Sequence, residues 1–331
     1  MAVFTNVSRE EASAFVARLS VGSLIDLRGI QAGIENSNFF VDTRDANGTT
    51  RHWVLTLFER LSFEQLPFYL ELMRHLAQRG IPVPMPQADA EGAILHRLNG
   101  KPAALVDRLP GSHQLAPDVH HCTQVGAMLA RMHRAGADFP RAQPNLRGLS
   151  WWIETVPQVL PHVGDSQRSL LQHELAYQQQ LAESPAYATL PRGPIHADLF
   201  RDNVMFEPGE AVGRERLCGF FDFYFAGVDA FLFDLAVCLN DWCIDLASGA
   251  LVEDRARAFV AAYHAMRPLS GHERRLLPAL MRAAAFRFWL SRLWDYHLPR
   301  EAAMLKPHDP AHFERVLRAR IESPWHAEGS A

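Results

Sequence analysis

The stretch HADLFRDNVMF, residues 196–206, places five polar or charged side chains within eight positions and then becomes apolar at once. A second apolar run, RLCGFFDF at residues 216–223, follows after the segment EPGEAVGRE, which contains Pro and Gly. Two such runs predict an antiparallel hairpin with a long loop. The start of the first strand then lies beside the end of the second. The pattern therefore brings Asn203 close to Asp222, although 19 positions separate them.

The loop that precedes Asn203 adds two carboxylates, Asp198 and Asp202, at the same end of the hairpin. Several oxygen-bearing side chains at one point suit Mg²⁺, which takes one or two protein ligands together with phosphate oxygens. The spacing from His196 to Asn203 also fits the pattern H-x-D-L-x-x-x-N of a kinase catalytic loop. In that scheme Asp198 accepts or orients the proton of the attacking hydroxyl, with His196 and Asn203 in the same catalytic loop, while Asn203 and Asp222 hold Mg²⁺. A short pattern of this kind, alone, more often describes a capped loop; the second aspartate across the hairpin favours the metal-phosphate site.

The order of the predicted elements indicates an α+β chain with two lobes. Ser8 and Glu11 form a capping-box pattern that opens an amphipathic helix. Three strand-like runs follow, then a helical pattern over SFEQLPFYLELMRHLAQRG and two more strands; the three runs are residues 24–29, 38–43 and 52–58. Helical patterns dominate after Gly111. We therefore expect an N-terminal lobe with an antiparallel sheet over residues 1–108 and a mainly helical lobe over 109–331.

Composition narrows the class of protein. Hydrophobic residues make up 48% of the 331 residues, and the net charge of −4 arises from 33 basic and 37 acidic residues that are interspersed. We expect no binding to nucleic acid or to a membrane, because the chain has no basic stripe and no apolar run of about 18 residues. No basic flank followed by an apolar block marks a secretory signal. The sequence predicts a cytoplasmic protein, as a monomer or a homodimer.

The chain resembles a known family along most of its length. The matching stretches include GIENSNFFV, WVLTLFE, LNGKPAALVDRLPG, HADLFRDNVMF, FFDFYFAGVDAFLFDLAVCLNDWC and RFWLSRL. Together they are similar to the homoserine kinases of the aminoglycoside phosphotransferase-like type, which have a protein-kinase-like fold. The resemblance implies transfer of the γ-phosphoryl group of ATP, with Mg²⁺, to the side-chain hydroxyl of L-homoserine. It implies that Asp198 is the catalytic base and that Asp234 of FDLA supports the catalytic loop.

The segment GIENSNF, residues 33–39, links the first two predicted strands, where a kinase fold covers the phosphates. Gly33 permits a close backbone approach, and Ser37 and Asn38 can donate hydrogen bonds to phosphate oxygens. A plain hairpin turn explains the same segment equally well. The third strand carries Thr56 where kinases in general carry a Lys, and the resemblance implies that this departure is typical of the family. It also implies a hinge from Val106 to Pro110, including Arg108, whose backbone groups receive adenine.

The acceptor site is the least defined part of the prediction. A zwitterionic amino acid needs an anion for its ammonium group and a cation for its carboxylate, and Arg suits a carboxylate because its fork binds bidentately. The expected substrate-binding residues are Arg201, Asp202, Asp241, Trp242 and Arg287. Trp242 also suits a place in a helix core, and Asp241 and Arg287 also suit an internal ion pair.

Two other functions remain open from the sequence. One is a kinase of the same fold that acts on choline, ethanolamine, a sugar or an aminoglycoside. The other is a non-catalytic module that binds nucleotide, which Thr56 suggests. The presence of Asp198, Asn203 and Asp222 together argues against the second function.

Overall fold

A computed structural model describes residues 5–30, 36–209, 214–298 and 308–327. The chain divides into two compact units. The first unit contains the chain up to Pro110 together with Cys218–Phe221, and the second contains Gly111–Leu217 and the chain from Asp222 onward. None of the helices within the described ranges is long and apolar enough to cross a membrane.

The first unit is built on a five-stranded sheet. Its elements are α1 (Arg9–Arg18), β1 (Ser23–Gly29), β2 (Asn36–Arg44), β3 (Thr50–Phe58), α2 (Leu66–Gln78), β4 (His96–Leu98) and β5 (Lys101–Asp107). The strand order is β1-β2-β3-β5-β4, and each pairing is antiparallel. The predicted meander of three strands is confirmed, although β2 begins two residues earlier than predicted, at Asn36.

One face of this sheet packs against α1. The helix begins at the predicted capping box, in which the Ser8 side chain accepts from the Glu11 backbone and the Glu11 carboxylate accepts from the Ser8 backbone. Apolar side chains of α1 share one buried cluster with alternate residues of the strands, namely Phe15, Val16, Phe39, Leu55, Leu57 and Leu105. Because successive strand side chains point to opposite faces, Asn38 and Thr56 lie on the other face.

The second unit is mainly helical. Its elements are β6 (Ser112–His113), α3 (Val119–Ala135), α4 (Leu149–Val159), α5 (Asp165–Ala182), α6 (Pro185–Ala188), β7 (Arg192–Ile195), β8 (Val204–Pro208), β9 (Glu215–Phe220, of which the last three residues are counted with the first unit), β10 (Gly227–Ala230), α7 (Phe231–Trp242), α8 (Glu253–Met266), α9 (Gly271–His297) and α10 (Ala311–Glu322). The expected α+β class, with an antiparallel sheet in the N-terminal unit and a mainly helical C-terminal unit, is confirmed.

Helix α7 is the central support of the second unit. All 12 of its residues are buried, as expected of a helix that is apolar around most of its circumference. Two of the few polar residues in α7 are Asp234 and Asp241. A buried carboxylate must be hydrogen-bonded or paired. The partners of these two residues fix the segment that carries the candidate site.

Candidate active site

The loop between β7 and β8 is held in place by Asp234. Its two carboxylate oxygens accept hydrogen bonds from the backbone N–H groups of His196 and Ala197, both at 2.8 Å. His133 Nε2 lies 3.0 Å from the same carboxylate. Burial alone would raise the pKa of Asp234, but the hydrogen bond with His133 and the backbone donors outweigh it and lower that pKa. The predicted support of the loop by Asp234 is confirmed.

The backbone of this loop turns sharply just before Asp198. Ala197 has a φ of 63°, in the left-handed region that non-glycine residues seldom occupy. The hydrogen bonds from the His196 and Ala197 N–H groups to Asp234 hold this conformation. His196 is fully buried, and its ring packs on Phe223 with centroids 4.6 Å apart. His196 therefore fixes the loop from inside, and Asp198 emerges as the first residue beyond it.

Asn203 closes the same loop. It ends a short 3₁₀ turn, Arg201–Asn203, immediately before β8, and its Nδ2 donates to the backbone oxygen of Asp198 at 2.8 Å. This bond leaves the Asn203 carbonyl oxygen as an acceptor or metal ligand. The structure thus joins Asp198 to Asn203, as the spacing of the motif predicts.

Asp222 reaches the site from the end of β9. It has a φ of 69° and a ψ of 58° and starts a 3₁₀ turn over Phe223–Phe225. Its charge is close enough to raise the pKa of Asp198. A non-glycine residue in the left-handed region is worth examination as a site residue. The structure therefore brings the predicted metal ligand Asp222 into the electrostatic neighbourhood of the predicted base.

The pKa of Asp198 is raised well above its usual value. Burial is the main cause, the charges of Asp222, Asp202 and Asp241 add to it, and Arg287 acts in the opposite direction. A raised pKa makes a carboxylate a stronger proton acceptor. The excess of negative charge also suits a bound cation.

The donor set fits Mg²⁺ better than a cation that needs many protein ligands. Within the described ranges no group of three or more His, Cys, Asp or Glu side chains converges on one point. Asn203 and Asp222 offer two oxygen ligands, and Mg²⁺ bound to a nucleotide completes its octahedron with phosphate oxygens and water.

Two of the predicted substrate-binding residues are paired with each other. Arg201 donates through its backbone N–H and its Nε to Asp241 Oδ2, at 2.8 and 3.1 Å, and through Nη1 to the Leu115 carbonyl at 3.0 Å. Both side chains are largely buried. The structure therefore shows the internal ion pair that the sequence left open for Asp241, and Arg201 has the same structural role.

Trp242 is also a structural residue. Its side chain is fully buried, and Nε1 donates to the Leu199 carbonyl at 3.0 Å. It therefore supports the loop through the Leu199 carbonyl and offers no exposed surface to a substrate. Asp202, by contrast, is exposed.

Arg287 lies beside the predicted base. This α9 residue is 3% exposed, and its Nη1 is 3.8 Å from Asp198 Oδ1. Its guanidinium lies over the rings of Phe288, at 3.7 Å, and Phe225, at 4.9 Å. Burial lowers the pKa of Arg287 to about 10, and Asp198 opposes the decrease, so that the group stays charged at neutral pH.

Arg147 is a further charged residue near the site, and the sequence does not predict it. Its guanidinium lies 4.4 Å from the Trp151 ring centroid and 6.0 Å from that of Phe225. Its charge also acts on Arg287. Arg147 precedes α4 in a loop without periodicity, and no sequence signal connects it to Phe225.

The predicted nucleotide site falls partly on the first unit. Gly33 lies outside the described residues. Ser37 is in β2, fully buried, and its hydroxyl donates to Glu59 at 2.7 Å and accepts from the Thr5 backbone at 2.9 Å. The Ser37 side chain therefore points into the face covered by α1, so we do not include it among the phosphate donors.

Asn38 and Thr56 face the other side of the sheet as opposite residues of β2 and β3. The Thr56 hydroxyl donates to Asn38 Oδ1 at 2.8 Å. Since that bond occupies the amide oxygen, the Asn38 NH₂ group is presented as a donor. A neutral pair thus stands where kinases in general carry a Lys.

The predicted hinge is only partly available for hydrogen bonds. Val106 belongs to β5, opposite Val54. The Arg108 backbone N–H already donates to the His52 carbonyl at 3.2 Å, which excludes it as a free donor to adenine in this conformation. The Arg108 guanidinium lies 4.1 Å from the ring centroid of Phe40.

Comparison with known proteins identifies relatives over nearly the whole chain. The model of the phosphotransferase enzyme family (APH) matches residues 26–269. The homoserine kinase of Polaromonas naphthalenivorans is 64% identical over 325 residues, covering 98% of this chain and 99% of that protein. The homoserine kinase of Cupriavidus taiwanensis is 58% identical over 323 residues, covering 98% and 96% respectively.

Solved structures of low identity share the fold. Amicoumacin kinase hAmiN, in complex with AMP-PNP, Ca²⁺ and its Ami ligand, has a TM-score of 0.69 at 17% identity, covering 96% of this chain and 95% of that one. An aminoglycoside phosphotransferase from Alicyclobacillus acidocaldarius has a TM-score of 0.61 at 15% identity, with coverages of 96% and 93%. The ethanolamine kinase of Plasmodium vivax has a TM-score of 0.58 at 13% identity, with coverages of 90% and 82%.

Proposed function

This chain belongs to the phosphotransferase enzyme family, and we propose that it transfers the γ-phosphoryl group of ATP to the side-chain hydroxyl of L-homoserine, giving O-phospho-L-homoserine for threonine biosynthesis. The observation that carries the proposal is the loop fixed by Asp234, which presents Asp198 and Asn203 together with Asp222. The homoserine kinases that are 58–64% identical over nearly the whole chain support the substrate.

In this proposal Asp198 accepts the proton of the homoserine hydroxyl as its oxygen attacks the γ-phosphorus. The raised pKa of Asp198 favours this role, because a general base acts best when its pKa approaches the operating pH. His196 and Asp234 position the loop and do not contact the reacting atoms. The charge of Arg287 keeps Asp198 from holding its proton too tightly.

Asn203 and Asp222 would hold Mg²⁺ through one oxygen each. The bound cation supplies neutralising charge for the phosphate oxygens. The Asn203 amide has its orientation fixed, because its NH₂ group is used by the Asp198 carbonyl. On the nucleotide side we propose Asn38, oriented by Thr56, as a neutral donor to phosphate, with Gly33 and Val106 as further members of the ATP site. Arg108 contributes no backbone N–H to adenine, because that group donates to the His52 carbonyl.

For the acceptor, we propose that Asp202 receives the ammonium group and that Arg287 faces the carboxylate. Asp202 is exposed in the catalytic loop, whereas Asp241 is already paired with Arg201.

A cytoplasmic location and a monomer or homodimer remain predictions of the sequence.

The buried charge of Arg287 opposes the alternative acceptors. Choline and ethanolamine are cations without a carboxylate, and aminoglycosides are polycations. A guanidinium at 3.8 Å from Asp198 repels such acceptors at the position where their hydroxyl must react. The same charge favours an acceptor with a carboxylate.

The experiment is a panel of acceptors with ATP and Mg²⁺, read as ADP release: L-homoserine, L-serine, L-threonine, choline, ethanolamine and an aminoglycoside. We expect strong turnover with L-homoserine alone. Turnover with another alcohol would keep phosphoryl transfer and overturn the substrate. Nucleotide binding without turnover on any acceptor would support a non-catalytic nucleotide-binding module.

A further inference from the structure

Arg287 has hydrogen-bond donors that no described residue satisfies. Its Nε and Nη2 are buried and have no hydrogen-bond partner among the described residues. The contrast with Arg201 is direct, because that buried arginine donates to one carboxylate and one carbonyl at 2.8–3.1 Å. Buried N–H donors without hydrogen-bond partners are costly, so a structural arginine is expected to have such partners. Arg287 is therefore arranged for an anion that arrives from outside the chain.

A second guanidinium lies against the same aromatic ring. Arg287 and Arg147 both lie over Phe225, at 4.9 and 6.0 Å from the ring centroid, and each also lies over another ring, Phe288 or Trp151. The charge of Arg147 acts to lower the pKa of Arg287, as a neighbouring like charge does. Two arginines held together by aromatic stacking form a site for an anion.

We propose that Arg147 and Arg287, which both lie against Phe225, bind the carboxylate of the phosphoryl acceptor and so select amino acids over amino alcohols. This inference rests on the proposed function and identifies how that site reads its substrate. Arg147, which is half-buried, supplies direct hydrogen bonds, and Arg287 supplies the buried charge beside Asp198.

The dimensions agree with the length of homoserine. Its hydroxyl oxygen and its carboxylate carbon are separated by four single bonds, roughly 5 Å when extended. An acceptor whose hydroxyl contacts Asp198 therefore places its carboxylate a few ångströms away, on the side where Arg287 approaches at 3.8 Å. The pair thus selects an acceptor that has a carboxylate.

The test uses two ligands that each lack one group of homoserine. L-α-aminobutyrate keeps the ammonium and carboxylate groups and lacks the hydroxyl, and γ-aminopropanol keeps the ammonium and hydroxyl groups and lacks the carboxylate. Their dissociation constants are measured by calorimetry with the full chain, Mg²⁺ and a non-hydrolysable ATP analogue, for wild type and Arg147→Gln. We expect the constant for L-α-aminobutyrate to rise about 10- to 100-fold, and that for γ-aminopropanol to change less than about threefold.

Arg147→Lys is the second variant, which keeps the charge but not the fork. Its dissociation constant for L-α-aminobutyrate should lie between those of wild type and Arg147→Gln. Arg147→Lys also replaces Arg147→Gln in the test if that variant proves unstable. Arg18→Gln is the matched control, because Arg18 is an exposed arginine that lies over Phe15 at 5.3 Å in α1. The inference would be overturned if Arg147→Gln lost affinity equally for both ligands, or lost affinity for neither. Absence of homoserine phosphorylation by wild type would instead overturn the proposed function, so the two failures are distinguishable.

Discussion

At the scale of single residues, the candidate site depends on one buried carboxylate that contacts no substrate. Asp234 accepts hydrogen bonds from the backbone N–H groups of His196 and the strained Ala197, and His133 lies within hydrogen-bond distance of the same carboxylate. Those bonds hold the left-handed φ of Ala197, together with His196 Nδ1, which accepts from the Asp198 backbone N–H at 3.3 Å. Asp234 therefore determines whether Asp198 is correctly placed.

Asp234→Asn should destabilise the protein and impair turnover together. An amide offers one acceptor oxygen in place of two, so at least one buried N–H group is left unsatisfied. We expect the free energy of unfolding to fall by about 2–3 kcal/mol. We also expect kcat to fall more than KM rises, because the loop loses its geometry. Urea unfolding and steady-state kinetics measure the two effects; an unchanged kcat would show that the loop does not depend on Asp234.

Thr56→Val tests the neutral pair that stands in place of a Lys. The substitution keeps the shape of the side chain and removes the hydroxyl that orients Asn38. We expect the KM for ATP to rise about three- to tenfold, since one hydrogen bond is lost, while the KM for the acceptor is unchanged. Thr50→Val, at the exposed start of β3, is the control and should have no effect. Equal KM values for ATP in wild type and Thr56→Val would remove this pair from the nucleotide site.

At the scale of elements, local sequence patterns predict most helices and strands but not all. The capping box at Ser8 and the meander of β1, β2 and β3 agree with the structure. Helix α4 is not predicted from the sequence. It has Pro157 in its interior, and its N-cap residue, Gly148, provides no side-chain cap. Both features are typical of a break in a helix and not of its presence.

A shift of two residues in the start of β2 changes the role of Ser37. The sequence predicts a loop up to that residue, whereas the structure places Ser37 within the pleat of the strand. Alternation then determines which face each side chain joins, so that Ser37 points toward α1 and Asn38 away from it. Strand ends are poorly defined by local sequence, and here the position of the strand end determines which residue we propose as a donor to the nucleotide.

The N-terminus of α3 should show a characteristic dependence of stability on pH. The Asp118 side chain caps the helix at the His121 backbone and also contacts the His121 ring, whose other nitrogen is 2.6 Å from Glu215. Burial would raise the pKa of Asp118, but the bonds to His121 outweigh it and lower that pKa from 3.8. Because the folded-state pKa is depressed, the stabilisation is complete above that ordinary value and is lost as the pH falls below it.

Asp118→Ala should therefore lower the free energy of unfolding by about 1 kcal/mol at pH 7, the usual cost of losing an N-cap. The difference from wild type should shrink in acid, below pH 3.8. Asp165→Ala, in the first turn of α5 where the side chain is 98% exposed, is the matched control. A difference that stays constant down to strongly acidic pH would contradict an ionised cap.

At the scale of the whole molecule, the sequence predicts the chemistry better than the recognition of the acceptor. Asp198, Asn203 and Asp222 come from two neighbouring segments whose spacing is visible in the chain. The proposed acceptor residues come from several distant segments. Only the fold shows that Arg201 and Asp241 pair with each other, while two donors of Arg287 have no hydrogen-bond partner among the residues that the structure describes. Arg147 and Phe225 are 78 positions apart, and no local pattern relates them.

We propose that in this phosphotransferase Asp198 acts on the hydroxyl of L-homoserine. The most direct measurement compares homoserine-dependent ADP release by wild type, Asp198→Asn and the exposed control Asp165→Asn, with nucleotide affinity measured in parallel. We expect Asp198→Asn to reduce kcat about 10²- to 10⁴-fold with nucleotide affinity nearly unchanged, and Asp165→Asn to match wild type. Turnover by Asp198→Asn close to that of wild type would contradict the claim.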